Sequence, residues 1–169
     1  MTVPRALGRL VLTAHIVTAV GWLGAVLSYL ALDIVASVSE DMAAVRAAYF
    51  GMDLSIRYVI VPLAIASVLI GTVNALTSSW GVLQHYWVAV KLLLTVFATV
   101  ILLLEVQSVR YMAELASTSA DPRNLPGSLP HSIGGLVVLI TVAALSVYKP
   151  KGLTPHGWRQ QLRDRGAAT

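Results

Sequence analysis

Four apolar runs, at about residues 7–32, 58–76, 86–106 and 132–147, constrain this chain more than any other feature. A hydrocarbon core about 30 Å thick takes about 20 helical residues to cross. The first three runs meet that length and the fourth lies near its lower edge. The chain therefore reads as a polytopic membrane protein, an all-α antiparallel four-helix bundle.

Composition agrees. Only 12% of the residues are charged and 57% are hydrophobic, whereas a soluble domain carries about 25% charge. Four spans and their connections consume all 169 residues. The expectation is one transmembrane domain over residues 1–169, with residues 148–169 as a basic cytoplasmic tail. The first run exceeds the roughly 7–15 apolar residues of a secretory signal, so it is read as a retained span. With no Cys, disulfides, thiolate metal sites and cysteine nucleophiles are excluded. The net charge of +4 comes from basic residues beside the spans, which points to the lipid bilayer as partner and not to nucleic acid. The preference for Arg over Lys, with abundant Ala, Val and Leu, suits a GC-rich bacterial genome.

Charge also sets a topology. Four spans put both termini on one side. That side carries Arg5, Arg9, Lys91, Lys149, Lys151, Arg159, Arg163 and Arg165; the other carries Arg46, Arg57, Arg110 and Arg123. Cytoplasmic loops are enriched in Lys and Arg, so both termini are expected in the cytoplasm of a bacterial inner membrane.

In the first connection, Ser39 is expected to cap a short helix. Met42, Val45, Tyr49 and Met52 recur at helical spacing and predict an amphipathic helix over the bundle or in the interface. Pro62 marks the first turn of the regular part of span two, or kinks it. The connection between spans two and three is short and contains Trp80. Span three should stay helical to about Leu115. Pro122, Pro126, Gly127 and Pro130 break regular helix before span four. A short surface helix is suggested from Gly157 to Arg165. Gly21, Gly24, Gly71, Gly134 and Gly135 suggest close helix approach, the last two alternatively a bend.

Polar residues at membrane depth are costly and are functional candidates by default. They form two groups. Towards the cytoplasm stand His15 and Thr18 of span one, Asn74 of span two, and His85 and Lys91 of span three. His15 lies about 12 Å into the first span. It could ligate haem or a metal, shuttle protons, or hydrogen-bond across the bundle to Asn74 or a Thr. A bis-histidine haem b would join His15 to His85, but His85 lies at the membrane edge, about 12 Å away along the normal. Lys91 can extend its stem back towards the surface. Towards the outside stand Asp33, Asp53, Arg57, Glu105, Arg110 and His131, with Tyr29 and Tyr58. Asp33 or Glu105 is the expected partner of Arg57. These groups read either as an ion-pair network holding helix ends or as a cation site in which His131, Asp33 and Glu105 would ligate copper or zinc. No nucleophile triad, phosphate loop or dinucleotide fingerprint argues for an enzyme.

The run His15-Ile16-Val17-Thr18-Ala19-Val20-Gly21-Trp22-Leu23-Gly24-Ala25 resembles the opening span of a family of small four-span bacterial membrane proteins. That family is distantly similar to the membrane domain of the copper-resistance protein CopD. Val61-Pro62-Leu63-Ala64, His85-Tyr86-Trp87-Val88-Ala89-Val90-Lys91-Leu92-Leu93-Leu94-Thr95 and Ser146-Val147-Tyr148-Lys149-Pro150-Lys151-Gly152 resemble actinobacterial members. The resemblance implies the four-span fold and marks His15, followed by Trp-x-Gly, as the residue to test. Three functions follow as expectations. The first is a redox or metal-linked protein binding haem b, or less directly copper or another metal, through His15. The second is a non-catalytic accessory or assembly protein with a membrane partner protein. The third is a small transporter working as a homo-oligomer.

Overall fold

Four helical segments, each long and apolar enough to cross a membrane, form the body of this multi-pass membrane protein. The structure, a computed structural model, describes residues 4–77, 85–150, 152, 154–155 and 157–159. The connection containing Trp80 and most of the basic tail, including most of the suggested surface helix, lie outside the described residues.

Helix α1 spans Arg5–Val38, α2 Met42–Ser55, α3 Val61–Thr77, α4 Tyr86–Thr118 and α5 Leu129–Tyr148. A π-turn at Ile56–Ile60 joins α2 to α3. Helix α1 packs on α3 and α5, and α4 packs on the same two. The ring order is therefore α1–α3–α4–α5, with neighbours antiparallel. Three of the sequence-predicted spans lie within α1, α4 and α5, the second runs from the π-turn through α3, and the predicted amphipathic helix is α2.

The helices differ in length. At 1.5 Å per residue, the 20 residues of α5 rise about 30 Å, the thickness of the hydrocarbon layer. The 34 residues of α1 and the 33 of α4 rise about 50 Å. Beyond the start of α5, α4 continues from Glu105 to Thr118 and α1 from Asp33 to Val38, at the end away from the chain termini, called distal below. There α2, of 14 residues, fills the height of the overhang and packs on both α1 and α4. Its inner face buries Val45, Ala48, Tyr49 and Met52, so the amphipathic pattern is satisfied by protein. Met42, at its first turn, stays exposed.

The local signals differ from expectation at two points. Asp41, not Ser39, caps α2: its side chain accepts from the Ala43 amide at 2.9 Å. Ser39 instead closes α1 and its hydroxyl accepts from the Asp41 amide at 3.2 Å. Pro62 does not stop the helix. It follows the π-turn in which the Val61 amide reaches back to the Ile56 carbonyl. A proline cannot donate to the carbonyl four residues back, and its ring crowds that carbonyl. Widening the preceding turn by one residue accommodates both problems within one continuous helix.

Long-range polar ties fasten the distal end. Arg46 of α2 donates from Nε to the Ala116 carbonyl at 3.1 Å. Its Nη2 donates to the Ser119 and Ala120 carbonyls at 2.8 and 3.4 Å. One guanidinium thus serves the Ala116 carbonyl in the last turn of α4, which lacks a helical partner, and two carbonyls just beyond that helix. Arg46→Ala is expected to lower stability by about 1–2 kcal/mol in detergent unfolding. Arg46→Lys should recover less than half, because an ammonium lacks the planar fork. Equal stability of all three proteins would refute this role. Between α4 and α5, a short 3₁₀ turn at Pro122–Asn124 carries Arg123, which pairs with Asp121 at 2.8 Å and Glu40 at 3.1 Å. The Arg123 guanidinium holds the Asp121 carboxyl at about 2.

Candidate ligand cleft between α4 and α5

The distal half of the bundle contains a cavity of about 420 Å³. Its wall on α4 comprises Phe97, Ala98, Ile101, Leu102, Glu105 and Val109. The facing wall on α5 includes His131, Gly134, Gly135, Val138 and Leu139. Trp22, Val26 and Tyr29 of α1, with Ile56 and Ile60 of the π-turn, form the back. The rim residues Phe97, Ile101 and Gly134 are exposed on the flank of the bundle, so the cleft opens towards lipid.

Helical spacing explains this lining. Trp22, Val26 and Tyr29 recur at four and three residues, and so share one face of α1. Ala98, Leu102, Glu105 and Val109 recur in the same way on α4. Glu105 therefore belongs to an inward stripe. The gap itself arises on α5: a Cβ added at Gly134 or Gly135 meets nothing within 4 Å. These glycines create space and do not bring helices together. Gly24 likewise has nothing within 4 Å, whereas the closest atom to Gly21 is a Leu63 methyl at 3.5 Å.

The cleft is graded in polarity. Tyr29, Glu105, Ser128 and His131 lie at its distal end, where α5 begins. Trp22, Phe97 and Leu139 lie seven or eight residues deeper along their helices, about 10–12 Å. Glu105 Oε1 is 3.4 Å from His131 Nε2. The Glu105 side chain is partly covered, with 30% exposure, against 61% for His131.

Asp33 occupies a different niche directly behind this end. It is wholly buried. Its Oδ1 accepts from the Ser128 amide at 3.2 Å. Its Oδ2 accepts from the Ser128 and Ser132 hydroxyls at 2.9 and 2.6 Å. The carboxylate thus caps the positive end of α5 from another helix. Tyr29 lies beside Ser128.

The structure brings Glu105 and His131 together and gives Asp33, Arg57 and Arg110 separate partners. Arg57 pairs with Asp53, one turn back in the same helix, and not with Asp33 or Glu105. It also stands over the Tyr58 ring at 5.5 Å. Arg110 pairs with Glu114 at 3.0 Å on the surface. Among the described residues, no group of three or more His, Asp or Glu forms a metal-ligand cluster. Asp33 is held by two serines, leaving His131 and Glu105 as a pair.

In the half of the bundle nearer the termini, the His15 ring lies against α3. A Cβ added at Gly71 would come within 2.7 Å of His15 Cε1, 3.1 Å of Nδ1 and 3.4 Å of Nε2. The whole nitrogen-bearing edge of the imidazole therefore faces the α3 backbone, beside Ser67. Nδ1 is buried without a hydrogen-bond partner among the described residues. The ring edge nearest Gly71 is the one bearing Cε1 and Nδ1. His85 sits at the N-cap of α4, its ring 6.5 Å from Trp87. His15 lies ten residues into α1, about 15 Å from that helix's start. Neither histidine lines the cleft. Thr18 donates to the Ala14 and His15 carbonyls at 3.0 Å within its own helix. Lys91 reaches back one turn, its Nζ 5.7 Å from the Trp87 ring centroid. Asn74 lies on α3, one turn beyond Gly71.

Sequence reasoning overlooked Trp22, Phe97 and Gly135 as parts of one site, and Arg46 and Ser132 as anchors. For Trp22 and Glu105, the shared stripes were the available signal. The chain matches no protein-family model, no curated protein and no solved structure.

Proposed function

We propose that this protein binds a lipid-dissolved amphipathic molecule in the cleft between α4 and α5. The carrying observation is a lipid-facing apolar cavity with a Glu105–His131 pair at its distal end. Small-molecule sites are typically concave and largely apolar, with a few polar groups that fix orientation. The graded lining suits a molecule with a polar head at the membrane interface and an apolar body deeper in the bilayer. The surplus of Lys and Arg on the terminal side supports cytoplasmic termini, which would turn the cleft's polar end outwards from a bacterial inner membrane.

Substitution of Gly135 tests the proposal. Gly135→Leu should fill the cleft, whereas Gly24→Leu should project into open space on an exposed face of α1. Native mass spectrometry after mild extraction should detect a small molecule bound to wild type and Gly24→Leu, and at least about tenfold less on Gly135→Leu. No co-purifying molecule, or one indifferent to Gly135→Leu, would contradict the assignment.

The Nδ1 of His15, buried without a hydrogen-bond partner among the described residues, favours a second reading, a redox cofactor bound through that residue, as a resemblance of its span to CopD-like proteins would imply. A Soret band lost in His15→Ala would establish it. A colourless, metal-free protein that still binds a ligand in the cleft would leave the first reading alone.

A further inference from the structure

We infer that the molecule held in the cleft is an amphipathic organic cation, with its charge beside Glu105 and its apolar body between Trp22 and Phe97. This inference rests on the cleft being a binding site. It is carried by an imbalance of charge around a graded cavity. Two carboxylates, Asp33 and Glu105, stand at the distal end of the cleft, and they differ in how their lone pairs are used. Asp33 is wholly buried and accepts three hydrogen bonds, all at 3.2 Å or less. Glu105 faces the cleft and, among the described residues, forms an ion pair only with His131, at 3.4 Å, with Tyr29 near by. Among the described residues, neither Lys nor Arg lines the cavity.

The nearby arginines have other partners. Arg57, adjacent to the lining residue Ile56, pairs with Asp53. Arg110, adjacent to Val109, pairs with Glu114. A phosphate-bearing lipid head would therefore meet Glu105 without a compensating cation. A neutral head would leave that carboxylate incompletely matched at the edge of the hydrocarbon layer, where unpaired charge is costly. An ammonium head supplies the missing charge. Below it, the faces of Trp22 and Phe97 suit both a cation's alkyl groups and its apolar body.

His131 has a defined part in this arrangement. Its Nε2 stands where an incoming ammonium would approach Glu105, so it acts as the internal occupant that the ligand displaces. Removing the ring should strengthen cation binding.

The test uses full-length protein in lipid nanodiscs, with empty discs subtracted. The probes are radiolabelled decyltrimethylammonium and its uncharged isostere with carbon in place of nitrogen. Saturable binding of the cation is expected, at least about tenfold weaker in Glu105→Gln. Glu105→Asp should retain most of that binding and His131→Ala should tighten it. Gly135→Leu should abolish it, and the isostere should bind weakly throughout. If both probes bind alike, are indifferent to Glu105→Gln and are lost in Gly135→Leu, the cleft binds ligand but the cation assignment is wrong. If the cation binds but ignores both substitutions, its site is elsewhere and the inference is overturned. If neither probe binds above empty discs, the cation assignment falls, while the co-purification experiment decides the cleft itself.

Discussion

Asp33→Ala is expected to destabilise the protein by about 3–5 kcal/mol, the largest effect of any single polar substitution in the bundle. The carboxylate is wholly buried and accepts three hydrogen bonds from Ser128 and Ser132. Its removal leaves the Ser128 amide and hydroxyl at the start of α5 without their carboxylate acceptor, and leaves the Ser132 hydroxyl only the Leu129 carbonyl at 3.2 Å. These donors lie where water is scarce, so the lost bonds are not readily replaced. Asp33→Asn keeps one acceptor oxygen and should fall between wild type and alanine. Equilibrium unfolding in mixed micelles gives the comparison. A loss below about 1 kcal/mol for Asp33→Ala would show that α5 is held by apolar packing alone.

The second large effect is expected at Gly71. Adding one methyl there places carbon 2.7 Å from His15 Cε1, closer than non-bonded atoms tolerate. Either the imidazole turns or α1 and α3 separate, and overpacking of this kind costs about 1–3 kcal/mol. The double variant His15→Ala, Gly71→Ala distinguishes crowding from helix propensity. If crowding dominates, the double variant is more stable than Gly71→Ala alone, because the methyl enters space vacated by the ring. If the two effects simply add, the ring is not what Gly71 accommodates. His15 then has no packing role tied to that glycine.

The membrane fold was legible because hydropathy and length act locally. Each apolar run declares its helix without reference to another, and the proline-rich segment before α5 declares its break. Even the joint between α2 and α3 left a trace in Pro62, although the π-turn that absorbs it was not foreseen. The cleft was less legible. Gly134 and Gly135 look like a packing surface until the position of α4 is known; only then do they become a gap. Arg57 had two plausible acidic partners at long range, yet one helical turn placed Asp53 nearer. His15 drew attention as an isolated buried imidazole, but its surroundings depend on Gly71, which is 56 residues further along the chain by subtraction of the two numbers. Arg46 gave no warning at all, because its acceptors are backbone carbonyls and any residue can supply those.

The polar ties at the distal end also impose an order on assembly. Asp33, Glu40 and Arg46 are synthesised before α4 and α5, whereas their partners Ser128, Ser132, Arg123 and the carbonyls near Ser119 come afterwards. A nascent chain that has emerged only through α3 therefore carries both signs of charge with none of these partners. The end of α4 closes the Arg46 tie, the turn before α5 closes the Glu40 tie, and the start of α5 closes the Asp33 tie. Completion is thus marked chemically as well as by length.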